Sequence, residues 1–515
     1  MPPEERGIVE DWLVSRQPVP NVKISLSKES EFYFMKYLAY APGNLVGRYA
    51  NGDVVRTEKL YKLLHGSIKK RGMERAYDVE RELMLILLES ERHGVKVDKT
   101  RLGRDIDMYR KSLGKLDKWI ISELKCADDI NFNSGNELVQ ALIKAGRIDM
   151  KLLGVTPTGK PQTNKEALAG AVTDRTLLAC LKYRTQLKTC LGTFMEPWYA
   201  TASMPESGGR IFTNWNQVKG DLGTRTGRLS STPNFQNIPK EFLGIFWSDV
   251  PGRPDLPVCP FTLPSLPKVR GYVIPRDKDH VLLDRDYSQQ ELRVLGHFED
   301  GVLAGQYKAD PWMDMHEYAR VMINKMTGKN FDRKINKTTG FALLYGMGVG
   351  LMAQRSEVPV EVAKEVKNAY LALFPGLKAI TFDMRYRAQA KIPIKTWGGR
   401  EYYCEEPAIV DGSVRTFDYK LINYLIQGSS ADCTKQAVIN YAKTKPEGHN
   451  LLALVHDEAL VECPRKEIRQ GMACLKVAME SVKFDVPMLT EGTWSYKNWS
   501  DLKPFDTKGE VKCRL

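Results

Sequence analysis

Apolar positions change their spacing along the chain, and the changes divide it into helical and non-helical stretches. Residues 76–200 and 310–390 show helical periodicity. Residues 205–275 are rich in Gly, Pro and Thr and lack that period, and the Pro-rich stretch 251–267 is typical of a loop. The chain therefore alternates between helical regions and regions of other structure.

Helix boundaries are indicated by local signals. In the segment that follows Tyr77, apolar residues between positions 83 and 88 predict one broad apolar face, and Gly94 predicts the end of that helix. Two capping boxes predict two further helix starts, and they pair Ser134 with Glu137 and Thr163 with Glu166.

Short apolar runs predict strands. One run, at residues 281–283, is followed closely by Asp286. Two more runs within residues 451–463 flank a polar tip that contains Asp457 and Glu458, which predicts a hairpin with acids at its turn. Strands combined with segregated helices favour an α+β fold class.

Composition excludes several classes of protein. The 515 residues are 43% hydrophobic and 27% charged, which excludes wholesale disorder, and the length suggests about three or four domains. No apolar stretch approaches the roughly 18 residues of a membrane span, and the polar, acidic N-terminus has no signal-peptide or transit pattern. The nine cysteines and seven histidines show no zinc spacing, and free thiols in a reducing compartment are expected.

The formal net charge of +13 suggests a polyanionic partner, most often nucleic acid. A merely basic, soluble surface explains the charge equally well. The individual residues must decide between the two interpretations.

Acidic residues at strand ends are candidate metal ligands. Asp286 and the pair Asp457 and Glu458 could face a solvent-filled cleft from rigid strands and clamp two Mg²⁺ ions roughly 3.5–4 Å apart, the geometry of in-line phosphoryl transfer. Acids at turn tips are also common as simply solvated groups. Either interpretation fits these residues taken alone.

A helix face with cations and aromatics is a candidate nucleotide site. Arg333, Lys337, Phe341 and Tyr345 recur every four residues, so they share one face of a helix that Gly346 would end. Cations near the helix N-terminus suit a triphosphate, and the aromatics beyond them suit a sugar and base. The alternative is an amphipathic helix whose aromatics pack in the core.

Taken together and in order, these segments resemble the polymerase module of the family A DNA polymerases, over roughly residues 77–515. The matching segments are Glu91–Asp98 at the start of the thumb, Thr226–Ser231 (TGRLSS), Pro233–Pro239 (PNFQNIP), Asp286–Arg293 (DYSQQELR), Arg333–Gly346, Asn423–Gly428 and Val455–Glu458 (VHDE). Their combination and order are far more specific than any one of them.

The resemblance implies a right-hand architecture and a function. It implies a thumb at residues 76–204, a palm with an antiparallel sheet at 205–300 and 401–515, fingers at 301–400, and a short helical remnant of an exonuclease domain at 1–75. The implied function is template-directed, DNA-dependent DNA polymerisation, in which dNTPs are added to a primer 3′-hydroxyl by a two-metal-ion mechanism. The implied partners are primer–template DNA, dNTPs and a separate exonuclease chain or replisome proteins. The resemblance also implies a monomer that does not associate with a membrane, in the cytoplasm of a bacterium or of a phage-infected host cell.

Catalytic and metal-binding roles follow from the same resemblance. Asp286 and Asp457 would hold two Mg²⁺ ions, for which Mn²⁺ can substitute, with help from the Tyr287 carbonyl. Glu458 would be a neighbouring catalytic carboxylate of lesser weight. Lys337 would bind the triphosphate and protonate the leaving pyrophosphate.

Substrate roles also follow from it. The residues implied to bind the dNTP are Arg333, Lys337, Phe341, Tyr345, His316, Glu291 and Gln289. Glu291 would be the steric gate that excludes a 2′-hydroxyl. The residues implied to bind DNA are Arg228, Thr226, Gln236, Asn237, Asn423, Gln427 and His456. Arg228, Gln427 and His456 would contact minor-groove acceptors that look alike in every correct base pair.

Two positions depart from the family pattern. Gln290 stands where an apolar residue is usual, beside the steric gate, and an effect on fidelity or nucleotide selectivity is one consequence to test. Tyr419 stands where many relatives carry Arg, and Lys420 is a candidate to compensate.

The N-terminal segment departs further. Tyr49 and Asp53 resemble the last motif of the family's 3′–5′ exonuclease, although an ordinary helix also places such residues one turn apart. The 48 residues before Tyr49 contain no Asp-x-Glu motif. We therefore expect no proofreading by this chain, with the missing part on a separate chain or removed by processing or cloning.

Two other functions remain as alternatives. A single-subunit RNA polymerase shares the palm, but Glu291 and Phe341 favour deoxynucleotides. An inactive DNA-binding or scaffolding protein is disfavoured because both candidate metal aspartates and both phosphate-binding cations are present.

Overall fold

The computed structural model describes residues 3–154, 161–163, 165–217, 224–242, 244–246, 249, 256–410 and 412–505. The chain forms two compact units, residues 1–77 and 78–515. None of the described helices combines the length and the apolar character that a membrane crossing requires.

Helices dominate both units. They are α1 (Pro3–Arg16), α2 (Gly43–Lys70), α3 (Glu74–His93), α4 (Lys99–Leu124), α5 (Gly135–Lys144), α6 (Lys165–Ala171), α7 (Arg175–Thr189), α8 (Glu196–Ser203), α9 (Gln290–Glu299), α10 (Val302–Ala309), α11 (Met315–Thr327), α12 (Arg333–Leu344), α13 (Val349–Ser356), α14 (Val360–Leu373), α15 (Gly376–Ala390), α16 (Tyr419–Thr444) and α17 (Ile468–Glu480). The helical periodicity predicted for residues 76–200 and 310–390 is confirmed.

Among the described residues, every strand longer than three residues belongs to one sheet. They are β1 (Val95–Lys96), β2 (Arg210–Ile211), β3 (Asn214–Asn216), β4 (Ser230–Thr232), β5 (His280–Tyr287), β6 (Ile394–Lys395), β7 (Glu401–Tyr402), β8 (Ala408–Val410), β9 (Ser413–Arg415), β10 (Asn450–Val455), β11 (Glu458–Pro464), β12 (Thr490–Ser495) and β13 (Lys503–Pro504). The mixture confirms the predicted α+β class.

The main sheet has five antiparallel strands in the order β10-β11-β5-β12-β13. β5 lies at its centre, and the predicted apolar run Val281–Leu283 is fully buried there. β10 and β11 form the hairpin predicted for residues 451–463, and its register places Glu458 directly opposite Asp286. The sheet therefore brings the candidate carboxylates of two distant segments together where the strands β5 and β11 meet at one end of the sheet.

Two helices support this sheet. α17 packs against β5 and β12, and α16 packs against α17 and α9. Most side chains of α16 are buried, including the polar Ser429, Ser430 and Asp432, so this helix runs through the interior of its unit.

Capping residues explain where several helices begin. Ser134 accepts a hydrogen bond from the Glu137 N–H, and Leu138 and Leu142 of α5 are buried, as predicted. The Glu137 carboxylate accepts from the Asn131 N–H instead of closing the box on Ser134. The second predicted box lies partly outside the described residues, because Asn164 and the side chain of Glu166 are not among them.

The predicted broad apolar face of α3 is wrong in part. Leu83 and Leu87 are buried, whereas Met84 is 53% and Leu88 39% exposed. The buried stripe is narrower because only one side of this part of the helix packs against the core. Gly94 ends α3 as predicted, with a φ of +66° that favours glycine. Of the predicted loop, residues 251–255 lie outside the described residues, and 256–267 contain no helix or strand.

Unit 1 has its own small core. Val9 and Leu13 of α1 pack with Ile24 and Phe34. The second half of α2 contributes no buried side chain to this core.

Candidate active site

The hairpin turn between β10 and β11 carries Asp457, beside the end of β5. The Tyr287 N–H donates to the Asp457 carbonyl at 3.3 Å, which ties the turn to the central strand. His456 adopts a φ of +60°, a left-handed conformation that reverses the chain here. Asp286 and Asp457 are thereby held side by side on main chain that is fixed by the sheet.

Gln236 braces the same turn. Its side chain is buried, its amide nitrogen donates to the Leu454 carbonyl, and its amide oxygen accepts from the His456 N–H. These contacts fix the backbone that presents Asp457. A contact between Gln236 and DNA stays a prediction.

The pKa of each of these two aspartates is raised above its ordinary value. Burial raises the pKa of both carboxyl groups, and the neighbouring Asp286 helps raise the pKa of Asp457 to about 8. Among the described residues, no donor bonds to Asp286 Oδ1. An unsatisfied carboxylate oxygen beside a second carboxylate fits a hard cation such as Mg²⁺.

Lys240 lies against these acids. Its Nζ is 2.9 Å from Asp286 Oδ2 and 3.0 Å from Glu458 Oε2. Burial alone would lower the pKa of Lys240, but the carboxylates of Glu458 and Asp286 outweigh it and raise that pKa. This residue was not among the sequence predictions, and no local motif indicates its contact with Asp286.

Glu458 is committed to partners inside the protein. Its carboxylate is 2% exposed and accepts from the Arg270 guanidinium. Burial raises the pKa of Glu458, yet hydrogen bonding with Asp284 and the charge of Arg270 lower it to about 2. Asp284, whose pKa is raised by burial and by Glu458, also accepts from Trp499 Nε1 at 2.9 Å.

These partners leave Glu458 less able to serve as a metal ligand than the two aspartates. Within the described residues, no group of three or more His, Cys, Asp or Glu side chains is arranged to hold a metal ion. The oxygen donors available for a metal ion are the carboxylates of Asp286 and Asp457 and the backbone carbonyl of Tyr287. Arg270 was missed from the sequence because 188 residues separate it from Glu458.

α12 presents the predicted cationic face. Asp332 caps the helix by accepting from the Ile335 N–H, and Gly346 follows its end with a φ of +61°. Arg333 and Lys337 are exposed, and Lys337 Nζ lies 5.9 Å from the centre of the Phe341 ring. The predicted helix and its end are confirmed.

The aromatic rings of that face stack along the helix. Phe341 and Tyr345 are half-buried, with ring centres 6.1 Å apart and planes at 12°. His316 lies 5.6 Å from Phe341 on the neighbouring helix α11. Asp314 caps α11 and also pairs with Arg333 at 2.7 Å, so one carboxylate links the two helices.

His316 is buried and neutral. Burial, helped by the charges of Lys337 and Arg333, lowers its pKa to about 4 against the opposing effect of Asp314. Its Nδ1 has no hydrogen-bond partner among the described residues. Gln289 positions the loop before it, since its amide oxygen accepts from the Met315 N–H at 3.2 Å.

Glu291 connects α9 to α12. Its Oε2 accepts from the Tyr345 hydroxyl at 2.6 Å, and its Oε1 accepts from Arg228. Gln427 of α16 lies near the Tyr345 hydroxyl and helps lower its pKa, against the larger raising effects of burial and Glu291. The residue predicted as steric gate is therefore fixed from both sides.

Gln290, the first departure, points into the interior. It is 4% exposed, and its Nε2 donates to Thr434 Oγ1 on α16 at 3.0 Å. The polar residue is accommodated because the opposing helix supplies a hydroxyl.

Tyr419, the second departure, lies against the glycine that follows α12. A Cβ on Gly346 would come within 2.5 Å of the Tyr419 ring, so only glycine fits there. Lys420 pairs with Glu405 at 2.7 Å and lies over the Phe417 ring.

The remaining predicted DNA contacts lie around these groups. Thr226 is 9% exposed, Asn237 is exposed, and Asn423 is partly buried with no bond to its Oδ1 among the described residues. Their contacts with DNA stay predictions.

In unit 1, Tyr49 and Asp53 lie one turn apart on α2, and burial together with the nearby Asp53 carboxylate raises the pKa of the Tyr49 hydroxyl. Arg56 pairs with Asp53 at 2.9 Å. These contacts fit an ordinary helix surface as well as a remnant of an exonuclease.

Comparison with known proteins decides the family. The family model described as DNA polymerase family A matches residues 101–501. The chain belongs to this family. It is 29% identical over 470 residues to DNA polymerase I of Bacillus subtilis (strain 168), a match that covers 89% of this chain and 49% of that protein.

Two further similarities extend this family A assignment. The chain is 26% identical over 511 residues to DNA polymerase DpoZ of Vibrio phage phiVC8, covering 91% of this chain and 73% of that protein. The POL domain of Pol1 from M. smegmatis, in complex with DNA primer-template and dNTP, superposes with a TM-score of 0.67 at 22% identity and covers 82% of this chain and 70% of that one. The chain thus has the fold of a family A polymerase domain. It spans about half the length of the bacterial DNA polymerase I relatives.

Proposed function

We propose that this chain is a template-directed DNA polymerase that transfers nucleotides from dNTPs to a primer 3′-hydroxyl. The observation that carries the proposal is the position of Glu291. It lies five residues beyond Asp286, and it is bonded both by Tyr345, which directly follows α12, and by Arg228, whose charge lowers the pKa of the nearby Asp457. A candidate nucleotide face and a candidate metal site thus meet at one residue.

Asp286 and Asp457, with the Tyr287 carbonyl, would hold two divalent cations, Mg²⁺ or Mn²⁺. Bound there, such ions lower the pKa of an attacking hydroxyl and neutralise charge on the phosphates. The sheet supports this chemistry by fixing both carboxylates before substrate arrives, so little reorganisation is needed at the moment of reaction. Glu458 would contribute indirectly, by holding Arg270 and Asp284 in place beside the two aspartates.

The triphosphate would lie along α12. Arg333 and Lys337 are exposed on its first turns, where the helix N-terminus adds partial positive charge. Lys337, as an ammonium, is the group that could protonate the leaving pyrophosphate. Neutral His316 can donate one hydrogen bond to a phosphate oxygen without adding a net charge.

Selection of the sugar would rest on Glu291. Two hydrogen bonds hold its carboxylate, so it cannot swing away to admit a 2′-hydroxyl. Phe341, which stacks on Tyr345 and has the tilted His316 ring 5.6 Å away, would line the sugar from the other side. This arrangement supports deoxynucleotide use over an RNA polymerase.

Primer–template DNA would bind beside this site through Arg228, Gln427 and His456, with the other predicted residues along the same path. The net charge of +13 would attract the duplex and make its affinity fall as salt rises. Contacts to minor-groove acceptors would check base-pair shape without selecting sequence.

We also propose that this chain does not proofread. Asp53 has Arg56 and Tyr49 as partners, and the described residues of unit 1 present no acidic cluster that could hold metal. Purified protein incubated with a mismatched 3′ end and no dNTPs should leave the primer intact. Degradation that Asp53→Ala abolishes would contradict this.

Primer extension tests the main proposal. The wild type should extend a primer with dNTPs and Mg²⁺ and extend poorly with NTPs, and Asp457→Asn should reduce extension by at least about a thousandfold. Asp300→Asn, which alters an acid whose side chain is 76% exposed and pairs only loosely with Lys308, is the matched control. Equal extension by Asp457→Asn and the wild type would refute the metal-site assignment.

A further inference from the structure

Lys240 follows directly on the PNFQNIP segment, and its side chain is unusual in being both exposed and bound at the active site. The side chain is 60% exposed, yet its ammonium lies 2.9 Å from Asp286 Oδ2 and 3.0 Å from Glu458 Oε2. Only its charged end is held.

The two carboxylates differ in their need for this ammonium. Glu458 already has Arg270 as a buried counter-charge, whose two terminal guanidinium nitrogens donate to its carboxylate. Asp286 has no other cation bonded to it among the described residues, and its second oxygen has no donor. The ammonium therefore matters most to Asp286.

A lysine is suited to give up such a position. Its charge is a compact point on a flexible four-carbon stem, and that side chain is 60% exposed. The ammonium can leave Asp286 without moving the backbone of the segment that carries it.

We propose that Lys240 is a resident counter-cation of the metal site, one that occupies Asp286 in the metal-free enzyme and is displaced when a divalent cation binds. The proposal rests on the proposed function of Asp286 as a metal ligand. It makes Lys240 a positioning residue that competes with metal, so the free enzyme binds divalent ions more weakly than its carboxylates alone would.

A lysine that competes with metal and a merely structural ion pair have different consequences when the lysine is removed. A structural pair would lower the stability of the protein when removed and leave metal affinity unchanged. If Lys240 competes with metal, its removal would leave the carboxylates of Asp286 and Glu458 repelling each other in the absence of metal. Asp286 would then be more accessible to an added divalent cation.

Mn²⁺ binding to DNA-free protein, followed by electron paramagnetic resonance, tests this without any turnover. Lys240→Gln should bind Mn²⁺ about tenfold more tightly than the wild type, because a full positive charge leaves the immediate neighbourhood of Asp286. Lys240→Arg, which keeps the charge, should stay near the wild-type affinity. Lys466→Gln, at a lysine whose side chain is 84% exposed, is the matched control.

Thermal melting gives a second measurement. Without metal, Lys240→Gln should melt at a lower temperature than the wild type, and Mg²⁺ should raise its melting temperature by more. A Lys240→Gln variant with wild-type Mn²⁺ affinity and a wild-type response to Mg²⁺ would overturn the proposal.

Asp286→Asn separates the two levels of inference. If it abolishes Mn²⁺ binding while Lys240→Gln changes nothing, the metal site stands and the role of Lys240 is refuted. If it leaves Mn²⁺ binding intact, the metal-site assignment itself fails.

Discussion

The Tyr345 hydroxyl donates a 2.6 Å hydrogen bond to Glu291 Oε2, and this bond joins the C-terminal end of α12 to the first turn of α9. Arg228 bonds to the other oxygen of the same carboxylate. Whatever moves α12 must therefore either carry Glu291 with it or break this bond. The geometry of the candidate steric gate is coupled to the helix that would bind the nucleotide.

Tyr345→Phe should loosen that gate. Phenylalanine keeps the ring that stacks on Phe341 but removes one of the two donors to Glu291. Since a hydrogen bond to a charged group contributes about 1.5–3 kcal/mol, we expect discrimination against NTPs to fall by about tenfold. The measurement is kcat/KM for single-nucleotide insertion with a dNTP and with the matching NTP.

Tyr386→Phe, which alters a 56% exposed tyrosine on α15, provides the control for that comparison. Glu291→Ala should lose more discrimination than Tyr345→Phe, because it removes the gate itself. An unchanged ratio of dNTP to NTP insertion in Tyr345→Phe would show that Arg228 alone suffices to hold Glu291.

Local signals account for what could be predicted from the sequence. Ser134 and Gly346 act within one or two turns of their own position, and the hairpin that contains Asp457 follows from two adjacent apolar runs. The meeting of Asp457 with Asp286 required only that both lie at strand ends, together with the family order of the motifs.

Long-range charge pairs account for what could not. Lys240 and Arg270 reach the carboxylates from segments with no periodic pattern, and nothing near either residue indicates its partner. The burial of Gln290 was equally unpredictable, because the hydroxyl that satisfies it lies 144 residues away in sequence. Burial and pairing of polar groups depend on the complete fold.

Gln290 should be replaceable by an apolar residue of similar size. Thr434 keeps a hydrogen bond to the Ser430 carbonyl at 3.2 Å when Gln290 is lost, so its hydroxyl does not become unsatisfied. We expect Gln290→Leu to change the free energy of unfolding by less than about 1 kcal/mol, whereas Gln290→Ala should cost about 2 kcal/mol through the cavity it leaves.

Urea denaturation of both variants and of Thr434→Val tests this. In a double-mutant cycle, Gln290→Leu and Thr434→Val should couple by about 0.5–1.5 kcal/mol. A coupling indistinguishable from zero would mean that the Gln290–Thr434 bond contributes nothing to stability.

A buried charge cluster joins α3 to α16. Glu80 accepts from both Lys435 and Arg400, whose side chains are 2% and 22% exposed. Removal of the Glu80 charge would leave two cations with Asp432, 3.7 Å from Arg400, as their remaining acid among the described residues. Glu80→Gln should therefore reduce the free energy of unfolding by about 3 kcal/mol at pH 7.

Glu82→Gln is a matched control on the same helix, because its partner Lys443 is 63% exposed and such pairs contribute little. The pKa of Glu80 also predicts a pH dependence. Burial raises that pKa, but Lys435 and Arg400 outweigh burial and hold it below its ordinary value of 4.5. The stabilisation is thus complete above about pH 4.5 and is lost as the pH falls through the folded-state pKa. Similar losses for the Glu80 and Glu82 variants would contradict the cluster's role.

His316 should make the protein less stable in mild acid. Because burial lowers its pKa to about 4, the unfolded chain takes up a proton below about pH 6.5 while the folded protein does not. Stability therefore falls as the pH falls from about 6.5 to 4. Between pH 7 and pH 5 the cost is at most about 2 kcal/mol, since each unit of pKa difference corresponds to roughly 1.4 kcal/mol.

His316→Gln removes this titration, so its free energy of unfolding should change less between pH 7 and pH 5 than that of the wild type. A bound triphosphate would place negative charge beside the imidazole and raise its pKa. Saturating dNTP should therefore reduce the loss of unfolding free energy between pH 7 and pH 5 in the wild type. In His316→Gln, dNTP should leave that pH dependence unchanged. If His316→Gln shows the full wild-type loss at pH 5, another group is responsible and the buried, neutral His316 is not the source.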